Sequence, residues 1–321
     1  MKKRLMLPMI LLLLCALLLA PASTALGDVL TGTVGTFSIP DDPVEPEPTD
    51  DTATFDDTPT SFAQADASAQ PVVLTEPVPI TVGVSTQMSG YFFSDMWGNN
   101  TVDADIRSML HGYGTIVWKN AGEYGVDANV VTDLSTTDGN RGRTYTITLA
   151  DDLTYSDGTP ITAADYVFTI LLQRDPLIPQ LGGMNTNFAH LIGWSDYAAG
   201  QANAFAGVRL LSDTSFSVTV PARAIPYFYE LTYVAVEPCP IRVLAPDYRV
   251  MYDGDGAYLA YPDAAAEGSY VRTALTLELL QATLTAEDGY LHQPKLTCGP
   301  YMLTSWLIVV ETPSLWGMCN I

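Results

Sequence analysis

A strand that passes through a glycine-proline corner into a capped helix limits this chain more than any other feature. Residues 144–174 read TYTITLADDLTYSDGTPITAADYVFTILLQR. Tyr145, Ile147 and Leu149 alternate with Thr144, Thr146 and Thr148, the period of a half-buried strand. Ser156-Asp157-Gly158-Thr159-Pro160 then turns the chain, with Gly158 free to take positive φ. Thr162 is placed to cap a helix, and Asp165, three residues on, completes an approximate capping box. Tyr166, Val167, Ile170 and Leu171 fall on one face of a helix over 163–174.

The run YSDGTPITAADYVFTILL closely resembles the signature segment of extracytoplasmic solute-binding proteins, family 5, which serve peptide and nickel ABC importers. Tyr155, Ser156, Asp157, Gly158, Pro160, Ile161, Thr162, Ala163, Asp165 and Val167 match in place. Ala150 stands near where that family often has an arginine. Gly299-Pro300-Tyr301-Met302-Leu303-Thr304-Ser305-Trp306 resembles the strand that leads toward the family's second lobe. These motifs are turn, cap and core chemistry, so they speak for the fold more than for a ligand.

The resemblance implies an α/β fold: the first lobe of a periplasmic-binding-protein type II architecture, with a mixed β-sheet and flanking helices. It covers residues 78–306. Residues 307–321 run off its pattern, so the second lobe is expected to be missing or incomplete and the chain truncated. The function implied is the substrate-binding component of an ABC importer, not an enzyme. Such a protein captures peptides or similar small solutes by closing two lobes, with no cofactor. Its expected partners are the solute and the importer's membrane subunits, and it is expected to be a monomer.

Elsewhere the chain is read from its residues. Lys2-Lys3-Arg4 precedes an apolar run and small residues at 20–25, the pattern of a cleaved secretory signal over 1–25. An uncleaved anchor is the competing reading. Residues 26–77 are rich in Asp, Glu, Pro and Thr and bury too little to fold, so a disordered acidic linker is expected. At ~50 residues it would span on the order of 40 Å. The secreted, cell-surface or periplasmic location follows from the signal. The net charge of −22, with 14 basic against 36 acidic residues, argues against nucleic acid as a partner.

The globule is read from residue 78. A strand at 79–84 enters a loop that is aromatic, glycine-bearing and polar at once, and a helix at 103–110 follows. In the family that this chain resembles, the loop lines the ligand cleft. Tyr91, Trp97 and Asn100 are its side chains best able to stack on or hydrogen-bond a ligand, although the aromatic ones serve equally as core. Further strands are expected at 115–118, 208–211 and 216–220, the last two as a hairpin. Short helices are expected near 194–199 and over 274–284, and the apolar 225–236 segment resembles a family helix.

Of four cysteines, Cys15 lies in the signal. Cys239 and Cys298 flank segments that return to one sheet, and a disulfide between them competes with two buried thiols. No His falls at metal spacing to these cysteines, and Asp253-Gly254-Asp255-Gly256 lacks the later ligands of a calcium loop. No GxSxG, HExxH or P-loop occurs. Two other functions compete with solute capture. One is a secreted α/β hydrolase whose nucleophile meets a histidine only on folding. The other is a cell-surface interaction protein.

Overall fold

The computed structural model describes residues 79–320 apart from 80, 85, 99, 120, 121, 185, 186, 312 and 313, with backbone alone at residue 82 and beyond Trp306. The expected signal and the expected acidic linker lie outside the described residues. All described residues belong to the compact unit Val73–Ile321.

The segment at the centre of the sequence argument folds as read. Strand β5 (Gly142–Leu149) buries Tyr145, Ile147 and Leu149 and leaves the intervening threonines half-buried. Gly158 takes φ +80 at the corner. The buried Asp165 carboxylate accepts from the Thr162 backbone N–H at 2.9 Å, closing the capping box, and from Ile241 N–H at 3.4 Å. The helix that follows, Ala163–Gln173, buries all but two of its residues. A helix hydrophobic nearly all round belongs inside a core. It packs against β6 (Val208–Ser212), β7 (Ser215–Pro221), β8 (Arg249–Tyr252) and β9 (Ala257–Pro262).

Helices thus lie against sheets, as an α/β reading requires. The sheets differ from the expected single mixed one. Among the described residues every pairing is antiparallel, and the strands divide into four small sheets. The largest has the order β4-β5-β7-β6, with β4 at Val131–Gly139. β8 and β9 pair with β10 (Tyr270–Arg272), and β2 (Ile116–Lys119) forms a hairpin with β3 (Glu123–Val126). In the fourth sheet β12 (Ser314–Asn320) lies between β1 (Thr81–Val84) and β11 (Ser305–Glu311). The tail read as off-pattern is thus paired backbone, and it joins the opening strand to the end of the GPY segment.

Two expected helices are shorter or absent. Residues 225–236 form only a 3-10 turn, Glu230–Val234, because their apolar side chains do not repeat on one helical face. Residues 274–284 give a single α-turn, Leu277–Leu280, followed by a π-turn, Gln281–Thr285. The Asp253–Gly256 run is a turn whose two carboxylates both pair with Arg272.

Candidate functional site

A cavity with a volume of about 710 Å³ lies where three segments converge. One wall is helix α1 (Thr101–Leu110) with the loop before it, contributing Phe93, Asp95, Arg107 and, just past the helix, His111. The second is the long central helix α2 (Ala163–Gln173), contributing Thr169 and Gln173. The third is the run from Thr232 to Cys239, and Asn187 and His190 also line the cavity.

Hydrogen bonds hold these walls together. Thr115 N–H donates to Val236 O at 3.0 Å, and Thr115 Oγ1 donates to Val234 O at 2.6 Å. Thr169 Oγ1 lies 2.7 Å from Glu237 O. Tyr166 Oη donates to Tyr113 O at 2.8 Å. Backbone partners consume these polar groups, so the cavity's remaining chemistry lies in a few side chains.

The carboxylates of Asp95 and Glu237 share the cavity with the Arg107 guanidinium. Among the described residues neither carboxylate joins an ion pair, and Arg107 donates to Tyr91 O at 2.8 Å. The protein packed around Glu237 pushes its carboxyl above the ordinary value, Asp95 adds to this, and Arg107 opposes it. Burial holds the His111 imidazole down at about 4, so it is neutral near pH 7 and its Nε2–H donates to Phe92 O at 2.7 Å. His190 stacks on Tyr233 at 4.1 Å between ring centroids and bonds the Tyr233 carbonyl at 2.9 Å. A cavity with both signs of charge, amides at Gln173 and Asn187, and aromatic walls is suited to a small zwitterionic solute.

The residues anticipated for ligand contact stand outside this cavity. Asn100 caps α1: its Oδ1 accepts from Val102 N–H at 2.9 Å and its Nδ2 donates to Gln87 O at 2.6 Å. Trp97 Nε1 donates to Leu181 O at 2.9 Å, and its half-buried ring packs on the core. Tyr91 is half-buried with its ring against His292, centroids 5.7 Å apart. The polar ends of Asn100 and Trp97 are therefore committed to the protein itself. The residues that do line the cavity gave no local sequence signal. They come from three separate segments spread over residues 93–239, and only folding brings them together.

The bridge expected between Cys239 and Cys298 is not formed, and both are buried free thiols. The Cys298 sulfur is turned toward Gly112, whose N–H donates to it at 3.4 Å. Each histidine engages a backbone carbonyl: Phe92 for His111, Tyr233 for His190 and Gly90 for His292. Among the described residues no group of three or more His, Cys, Asp or Glu side chains could hold a metal ion.

A model of the family described as bacterial extracellular solute-binding proteins, family 5 Middle, matches residues 130–309. The chain belongs to that family. The periplasmic oligopeptide-binding protein OppA of Salmonella typhimurium is 33% identical over 100 residues, which are 30% of this chain and 18% of that protein. A dipeptide-binding protein of Lactococcus lactis is 35% identical over 92 residues, 27% of this chain and 16% of that one. The matches thus span less than a fifth of these relatives' lengths. Among solved structures, lactococcal OppA complexed with an endogenous peptide in the closed conformation aligns at TM-score 0.46 and 18% identity, over 70% of this chain and 35% of that one. Listeria monocytogenes OppA bound to peptide aligns at TM-score 0.37 and 18% identity, over 53% and 36%. The relatives carry the names of binding proteins rather than enzymes.

Proposed function

We propose that this family 5 chain captures a peptide or similar small zwitterionic solute outside the cytoplasm and presents it to the membrane subunits of an ABC importer. Membership of the family carries the reading, since its relatives are named for oligopeptide and dipeptide binding. The cavity supports it with Asp95 and Glu237 for an ammonium, Arg107 for a carboxylate, and amide side chains for a peptide main chain. The basic and apolar start of the sequence supports export.

In this reading the described residues form one wall of a cleft. Closure of a second lobe over the solute would follow from tighter binding to the closed state. Tyr91, beside the cavity rather than in it, is the anticipated contact best placed for a ligand that extends beyond it. Titration calorimetry of the chain with a panel of two- to six-residue peptides is the test. Micromolar heats with some members support the proposal, and no heat with any of them overturns it.

A further inference from the structure

A line of aromatic rings leaves the cavity across the surface. His190 and Tyr233, both cavity-lining, stack at 4.1 Å, and Tyr227 stacks on Tyr233 at 5.3 Å with the planes 19° apart. Tyr229 follows at 5.9 Å from Tyr227, with Phe228 edge-on to it at 4.7 Å. Tyr124 lies 5.9 Å beyond Tyr229, and Trp118 4.9 Å beyond Tyr124. Trp118 and Tyr124 are direct cross-strand partners in the β2–β3 hairpin, which fixes their spacing.

Tyr233 packs on the core, but the rings beyond it are exposed. Phe228 is 83% exposed, Trp118 58% and Tyr227 46%. An open run of large apolar rings continuous with a cavity is the kind of patch that marks a recognition surface. The cavity end of the run carries Asp95 and Glu237 without an ion-pair partner among the described residues, and the whole chain is acidic at −22.

We propose that this ring line, from His190 out to Trp118, is an extension of the ligand groove that seats the aromatic side chains of an extended, basic peptide. The peptide's cationic end lies at Asp95 and Glu237. The inference rests on the solute-capture reading above and names the class of peptide. The five ring-to-ring steps, each under 6 Å, set an upper limit of about eight residues of extended chain at roughly 3.3 Å per residue. Charge complementarity chooses a basic peptide, and ring stacking chooses an aromatic one.

The experiment is calorimetry with two hexapeptides, both beginning with lysine. One carries phenylalanine at alternate positions, and the other carries alanine there. The phenylalanine peptide should bind at least tenfold more tightly. That advantage should fall below threefold in a Trp118→Ala/Phe228→Ala double variant whose circular dichroism melt matches the parent. In Glu237→Gln, exchanging lysine for norleucine should cost less affinity than it does in the parent. Equal binding of both peptides overturns the ring-line proposal and leaves solute capture standing. Binding of neither overturns the ring-line proposal, and solute capture then stands or falls with the peptide panel above. If sedimentation shows a dimer that the double variant breaks, and the phenylalanine peptide has no advantage, the rings are a self-association surface and the proposal is wrong.

Discussion

The hydroxyl of Thr169 lies 2.7 Å from the backbone carbonyl of Glu237, and this contact fastens the central helix to the rim of the cavity. Thr169 is 4% exposed. Thr169→Val keeps the shape and removes the donor, leaving a carbonyl without its partner. The expected loss is about 1–2 kcal/mol of unfolding free energy in a urea titration, with Thr169→Ser recovering most of it. Loss of less than a few tenths of a kcal/mol would show that the rim is held by other contacts.

Two glycines, Gly158 in the signature segment and Gly142 at the start of β5, separate backbone strain from steric clash. At Gly158, φ is +80 and a Cβ would meet nothing within 4 Å, so Gly158→Ala should cost only the left-handed conformation, about 1 kcal/mol. At Gly142, φ is +140 and a Cβ would sit 2.0 Å from the Val220 carbonyl oxygen, in the neighbouring strand. Gly142→Ala should cost several times more, on the order of 3–4 kcal/mol, and part the β5–β7 pairing. Thermal melts of the two variants side by side make the comparison, and similar melting temperatures would refute it.

The signature segment was legible in the sequence because its information is local. Strand alternation, the glycine corner and the Thr162–Asp165 box all lie within one short window, and each has its own residue signature. The strands β4, β8, β9 and β10 left weaker marks. β4 keeps only Val131 buried, so its exposed face gives no alternation to read. The cavity was illegible for a different reason. Asp95, His190 and Glu237 sit on separate segments, and nothing about a single Glu before Pro238 announces that it lines a cavity with Asp95. Asn100 looked like a ligand group because its amide is versatile. In the fold that versatility serves a helix cap.

His111 should make stability depend on pH. Its folded value lies near 4, against an ordinary value of 6.5. Between those pH values the unfolded chain binds a proton that the folded chain refuses, so acid favours unfolding. The contribution is fully present above about pH 6.5 and is lost as pH falls toward 4, by on the order of 2 kcal/mol. His111→Gln can still donate to the Phe92 carbonyl but cannot titrate. Its melting temperature should fall less than the parent's between pH 7 and pH 4. Parallel curves would place the acid sensitivity elsewhere.

The free thiols should be silent in the native protein. Burial pushes Cys298 up to about 12 and Cys239 well above its ordinary value. Thiolate is the reactive form, so neither should be alkylated by iodoacetamide at pH 8 until denaturant is added. Peptide mapping by mass spectrometry reads each cysteine separately. Recovery of the two as a cross-linked peptide from native protein would contradict the thiol assignment.

The pairing of Thr81 with Asn320 sets an order on assembly. The β4-β5-β7-β6 sheet joins two local hairpins within residues 131–221 and can condense early. The β1-β12-β11 sheet must hold its first strand in waiting until residues 305–320 are at hand. Until then β1 is an open edge, the state in which a nascent chain is most exposed to wrong pairing and most dependent on a chaperone.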